Sequence, residues 1–295
     1  MSDGATHINP EPINLREAVK NITALPSMPA IAQKLLALKM DSDEDERKLL
    51  MLIEQDPLIS AKIIGLANSA AVGSTRTVTT VKDAALLLGI SRAHSVATGI
   101  AIMSLSAKVP AGQFNMHDLW LHSFGIAFAM LAIARFMPER IRPQDDQIFL
   151  AGMLHDIGYL ALAFLDPTRS DKLHACFASA PDRPSIEIER TILEICHDEL
   201  GAELVRNWNL PNDLVTILRY HHTPDVSDAV EHPLIRMINI TEKLLPRFGI
   251  NEYAGSGVSD EEWEALGIDP SRIEEIEEQV AEQAGQAMQF ASSFS

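Results

Sequence analysis

The chain has 295 residues, 46% of them hydrophobic and 22% charged, enough apolar material for one large domain or two packed lobes. Forty-one Asp and Glu against 24 Lys and Arg leave a formal charge of −17, which repels phosphate backbones and anionic lipid heads and argues against direct, non-specific nucleic-acid binding. Cys176 and Cys196 are too few for a disulfide framework or a thiolate zinc site. With no signal-like start and no run of about 18 apolar residues, the expectation is a cytoplasmic protein with no membrane partner.

No stretch alternates apolar and polar residues over six or more positions, whereas apolar spacings of three and four recur from Leu15 to Met288, so the fold is expected to be all-α. In chain order, Asp56 before Pro57 places a capping carboxylate ahead of a proline at the first helical position of LISAKIIGLANSA. Asn68 and Ser69, at the end of that helix, read as polar closure between helices. Gly89, Pro110, Pro138 and Pro246 read as helix stops. Up to about Pro110 the chain holds only His7 and His94, while the stretch from His117 to His232 holds the other eight of ten histidines. KVPAGQFNMH marks the change. The expected organisation is an N-terminal helical lobe over 13–110, a second helical lobe over 111–250 and an acidic C-terminal helical extension over 251–295.

In MHDLW, Asp118 reads as the cap of a long apolar helix that carries His122 near its start, and Trp120 and Trp208 read as core or lobe-interface anchors. AGMLHDIGYLALAFL then sets His155 and Asp156 side by side within an apolar run. Neighbours on a helix point about 100° apart, so both side chains can reach a metal lying at the helix flank. An ionised Asp in that setting is expensive to bury without a cation or a strong donor, and Gly158 permits close approach of a backbone or ligand. The alternative is a helix end where both residues satisfy backbone groups. ICHDELGAELVRNWNLP adds His197 four residues before Gly201, and LRYHHTP adds His221 and His222 at a helix end. His94 and His174, without carboxylates at useful spacing, read as surface or packing residues. Imidazole and carboxylate without thiolate suit a divalent Fe, Mn, Zn or Ni. Ser259 with Glu262 fits a capping box. Asp269 and Pro270 precede a last helix whose stripe of Ile273, Ile276, Val280, Ala284 and Met288 is expected to fold back onto its own domain.

The order of His122, HDIG at residues 155–158, His197 with Gly201, and the His221–His222 pair resembles the HD superfamily of metal-dependent phosphohydrolases. LPSMPAIAQKLLAL, IEQDPLISAKIIGLANSA, TVTTVKDAALLLGI, WLHS and RYHH make the chain more similar to the HDOD branch, the HD-related output domain of bacterial signalling proteins, over roughly residues 20–250. The resemblance implies two packed helical lobes, the second an HD-like bundle. It implies one or two divalent cations held by His122, His155, Asp156, His197, His221, His222 and Glu242, with Asp156 bridging and with His155 and Asp156 catalytic if the site turns over. Glu242, in INITEKLLPRFG, stands where the superfamily usually carries an Asp. Tyr159 stands where active relatives often carry a lysine, which removes a candidate phosphate contact. TPDVSD after His222 lacks the loop of cyclic di-GMP phosphodiesterases, so that activity is not expected. The branch implies regulation through a signalling protein or a nucleotide ligand. The alternative is a metal-dependent phosphohydrolase acting on a phosphoester or nucleotide. No oligomeric state follows.

Overall fold

The computed structural model describes residues 13–21, 25–69, 72, 77–109, 111–181, 183–226, 232–246, 250 and 255–292. His7, Pro110 and the end of TPDVSD lie outside the described residues. Every regular element among the described residues is helical. The stretch expected as the first lobe runs through α1 (Leu15–Ala18), α2 (Ala30–Leu36), α3 (Asp43–Gln55), α4 (Pro57–Ala67), α5 (Val81–Leu88) and α6 (Ile90–Met103). The second holds α7 (Met116–Ala134), α8 (Asp145–Leu154), α9 (Ile157–Leu165), α10 (Pro167–Ser179), α11 (Ser185–Leu193), α12 (His197–Asn207), α13 (Asn212–Tyr220) and α14 (Pro233–Leu244). The expected C-terminal extension holds α15 (Asp260–Ala265) and α16 (Ile273–Ser292).

Local signals set many of these boundaries. The Asp56 carboxylate accepts hydrogen bonds from the backbone N–H groups of Leu58 and Ile59, with Pro57 in the first turn of α4. The Asn68 side chain exchanges two hydrogen bonds with the backbone of Val78, at 2.7 and 2.8 Å, and so ties the end of α4 to the approach of α5. Gly89 joins α5 to α6 at φ +86°, a left-handed conformation that favours glycine. Ser259 and Glu262 close the expected capping box on α15. One expectation is corrected: Asn115, not Asp118, caps α7, its side chain accepting from the N–H of His117.

One apolar core runs from Leu15 to Ala287 through both lobes. α6 joins them by packing on α2 on one side and α8 on the other. Trp208 adds a polar tie, its indole N–H donating to the Pro26 carbonyl at 2.9 Å. At the centre of the second lobe lies α7, packed by α8, α14 and the returning α16. On α16 the buried line is Ile276, Val280, Ala284 and Ala287, while Met288 is 46% exposed. Steps of four, four and three follow the 3.6-residue period, and a further step of four would leave it.

The expectation that no segment could span a bilayer is also corrected. Met116–Ala134 and Asp145–Leu165 are long and apolar enough by length and composition. Their most apolar stretches are 78% and 89% buried inside the protein, so other helices cover the surface that lipid would otherwise meet.

Candidate metal centre

Six helices bring the sequence-predicted donors together. His122 lies in the second turn of α7, His155 closes α8, Asp156 stands before α9, and His197 opens α12. His221 closes α13 with His222 beside it, and Glu242 lies in the last turn of α14. The doublet therefore occupies a junction between helices rather than a helix flank. Asp156 takes the N-cap place of α9 yet makes no capping hydrogen bond, so its carboxylate is left to the histidines. Gly158 supplies the close approach that its position calls for: a Cβ there would overlap the His197 carbonyl, so only glycine lets α9 meet the start of α12 at this separation.

Asp156 lies between two sets of donors. Its Oδ2 is 3.2 Å from His122 Nε2 and 3.4 Å from His155 Nε2, and its Oδ1 is 3.1 Å from His197 Nε2 and 3.6 Å from His221 Nε2. Across the site, Glu242 Oε1 is 3.6 Å from His155 Nε2 and Oε2 is 3.6 Å from His222 Nδ1. The donor atoms of His122, His155, Asp156 and Glu242 all lie within 4.8 Å of one another, as do those of Asp156, His197, His221 and His222. The donor side chains are between 0 and 5% exposed.

The second ring nitrogens decide what these histidines offer. A carbonyl only accepts, so His155 Nδ1, 2.8 Å from the Gly152 carbonyl, and His221 Nδ1, 2.8 Å from the Leu218 carbonyl, both carry the proton. His197 Nδ1 donates to Glu189 Oε1 at 2.7 Å. Each ring then turns its Nε2 inward, toward Asp156. His197 Nε2 and His221 Nε2 are 3.3 Å apart, and two lone pairs at that distance repel unless a proton or a cation lies among them. This is how a metal-ligating imidazole is held when an outer partner fixes its tautomer.

Charge follows the same arrangement. Burial holds His122, His221 and His222 below the ordinary imidazole value, so they stay neutral donors. Burial opposes the Asp156 charge, but His155, His122 and His197 outweigh it and keep the carboxyl well below the usual range. Burial also opposes a charged His197, yet Glu189 and Asp156 overcome it and raise the ring well above its ordinary value. That pull on a proton is a pull on any cation. Five imidazoles and two carboxylates fit a divalent ion of the Fe, Mn, Zn or Ni type.

Glu189 is the site residue the sequence reading missed. It is fully buried and accepts three hydrogen bonds: from Tyr159 Oη at 2.7 Å, from His197 Nδ1 at 2.7 Å and from the His197 backbone N–H at 2.8 Å. Its signal was faint, an acid on the Ser185, Ile188 and Leu193 face of SIEIERTIL. Tyr159 has a role of its own, stacked on the His197 ring at 4.4 Å between centroids. A third group, Cys196, Asp198 and Glu199, is a poorer cation site. Arg16 and Arg219 already pair with its carboxylates, and burial, with Glu189 and Asp198, raises the thiol to about 11. His94 bonds the Leu35 carbonyl at 2.8 Å and His174 stacks on Phe114, both as packing residues.

Comparison with known proteins places these features in a wider set. A family model described as the HDOD domain matches residues 25–224. An uncharacterized protein of Treponema pallidum (strain Nichols) is 23% identical over 228 residues, 74% of this chain and 42% of that protein. A solved structure from Marinobacter aquaeolei VT8, provisionally ascribed to signal transduction, superposes with a TM-score of 0.76 at 24% identity over 95% of this chain and 64% of that one. A provisionally named phosphohydrolase from Shewanella amazonensis SB2B gives 0.71 at 23% identity over 94% of this chain and 98% of that one. At these identities the solved structures establish a common fold. The chain spans less than half of the Treponema protein and under two thirds of the Marinobacter chain.

Proposed function

We propose, from the premise that the chain belongs to the HDOD domain family, that it is a regulatory module of bacterial signalling whose His and carboxylate centre holds one or two divalent cations as a fixed part of the fold. The observation that carries this reading is the seal around the donors. With 0 to 5% of each donor side chain exposed, a phosphoester would have to displace packed side chains to reach them. A cation that meets no substrate needs no such path and contributes folding free energy instead. The fold shared with the Marinobacter protein agrees with a signalling role. The partner in this reading is a signalling protein or a nucleotide, met in the cytoplasm. The charge of −17 supports no direct contact with nucleic acid or an anionic membrane.

One observation favours a second reading, hydrolysis of a phosphoester or nucleotide. The two oxygens of Asp156 face different donor sets, as a carboxylate between two cations would, and the Shewanella protein of the same fold is named a phosphohydrolase. In that reading His122, His155, Asp156 and Glu242 hold one cation, and Asp156, His197, His221 and His222 hold the other. Bound there, the cations would supply Lewis acidity toward a phosphoryl oxygen and acidify water. Gly152 and Glu189 keep the rings of His155 and His197 aimed inward.

Plasma mass spectrometry of tag-free protein purified without chelators, beside Asp156→Ala, tests the centre. One or two equivalents of Fe, Mn, Zn or Ni in the native chain, lost in the variant, is the expected result. No metal in either protein after incubation with Mn(II) and Fe(II) overturns it. The loaded protein should leave bis-p-nitrophenyl phosphate and cyclic nucleotides intact. Turnover that disappears in Asp156→Ala would replace regulation with hydrolysis.

A further inference from the structure

Three of the helices that end in metal-site donors begin at a second feature. α8, α13 and α14 line a half-open cleft of about 330 Å³, with Leu150, Leu214 and Ile217 among its apolar walls and Leu36 of α2 reaching in from the first lobe. Three polar side chains interrupt the apolar surface: Gln147, Asp213 and His232. The volume falls within the range of about 300–1,000 Å³ typical of small-molecule sites, and an apolar wall with a few polar groups is their usual composition. None of the seven candidate donors is among its lining residues, so it is a separate place in the fold.

The lining constrains what can bind. Among the described residues its lining holds no Lys or Arg, and burial holds His232 below the ordinary imidazole value, so an anionic head would face the Asp213 carboxylate without a counter-charge. A head that donates a hydrogen bond finds an acceptor in Asp213, and the leucines and isoleucines accept an aliphatic body. We propose that this cleft is an effector site for a small molecule with an aliphatic body and one non-anionic, hydrogen-bond-donating head, and that its occupancy is read at the metal centre.

The route between the two places is short. The rise is about 7.5 Å from Leu150 to His155, about 6 Å from Ile217 to His221 and about 12 Å from Leu234 to Glu242. A molecule that parts α8, α13 and α14 at the cleft therefore changes the separation of His155, His221 and Glu242, because close-packed helices shift as bodies. Linkage makes the effect reciprocal: the factor by which the ligand alters cation affinity is the factor by which the cation alters ligand affinity, commonly about 5–150-fold. The coupling rests on the centre being a metal site, whereas the cleft stands independently of it.

Calorimetric titration of the full chain with 1-octanol, with and without Mn(II), and with octanoate as the control, tests both halves. The expected result is one saturable octanol site, little or no octanoate binding, and loss of the site in Leu214→Trp, whose indole fills the cleft. Asp213→Ala, an exposed position, should keep the fold and weaken octanol at least about fivefold. Saturating octanol should shift Mn(II) affinity by at least about fivefold in the native chain and leave it unmoved in Leu214→Trp. Octanol uptake without saturation, equal binding of octanoate, or binding that survives both substitutions overturns the cleft. Saturable binding with unchanged Mn(II) affinity overturns the coupling. Failure of Mn(II) to bind overturns the metal reading and the coupling with it, while the octanol titration still decides the cleft.

Discussion

His155 cannot turn its Nδ1 from the Gly152 carbonyl without losing a hydrogen bond at the end of α8, and this fixes the nitrogen that faces Asp156. At His197 a carboxylate does the same work: Glu189 holds the ring by Nδ1 and the chain by its N–H. Glu189→Gln should keep the volume and still accept one bond, but it loses the charge that draws a cation toward His197. Mn(II) affinity is expected to fall about 10–100-fold in a direct titration, with urea unfolding still cooperative. Unchanged affinity would remove Glu189 from the site. A separate titration belongs to His174, stacked on Phe114 at 4.6 Å and lowered by burial to about 4. Its folded value is depressed below the unfolded one of about 6.5, so the unfolded chain takes up the proton first as pH falls. The contribution is complete above about 6.5 and is lost progressively toward about 4, amounting to about 2 kcal/mol between pH 7 and pH 5. His174→Phe keeps the stack without the proton. In chelator-treated protein it should flatten the fall of unfolding free energy by that amount, and an unaltered slope would exclude His174 as its source.

Gly158 shows how one position sets the register of two helices. Gly158→Ala pushes a methyl group into the His197 carbonyl, so α9 and α12 must separate. Overpacking against backbone is expected to destabilise the chain by about 3 kcal/mol, read as an earlier midpoint in urea, and to release metal because His197 moves with its helix. A variant as stable as the native chain would show that the contact yields. Much at this scale was legible in the sequence because its causes are local: Asp56 with Pro57, Asn68 and the Ser259 capping box need only neighbours a few residues away. The donors were legible too, since His122, His155, Asp156 and His197 interrupt apolar runs in which a polar side chain stands out. Glu189 was not, because Glu187, Glu189 and Arg190 look alike along SIEIERTIL until a distant helix places His197 against one of them. Met288 failed for a related reason: either Ala287 or Met288 continues the stripe, and only the surface of α7 chooses. Asp118 lost the cap to Asn115, three residues nearer the start, because a helix boundary is set by the chain entering it.

At the scale of the whole chain, one core and one polar centre bind the same helices together. α7, α8, α9, α12, α13 and α14 each contribute or hold a donor, and those helices carry much of the apolar core that joins the second lobe to α6 and so to the first. A cation at the centre would thus bind only when six helices are assembled, and the unfolded chain offers no such set. Binding to the folded state alone stabilises it by about 2.7 kcal/mol when free cation is 100-fold above its dissociation constant. In a chain of this size that corresponds to a rise in Tm of about 5 °C, taking about 2 °C for each kcal/mol. Scanning calorimetry of native protein with Mn(II) and after chelation should show that shift as one moving transition, because the lobes share a core. Asp156→Ala removes the carboxylate that lies between both donor sets, so its Tm should be the same with Mn(II) and with chelator. A native Tm indifferent to chelation in protein known to contain metal would mean that the cation lies elsewhere. Two transitions, with only the later one moving, would mean that the first lobe unfolds apart from the centre.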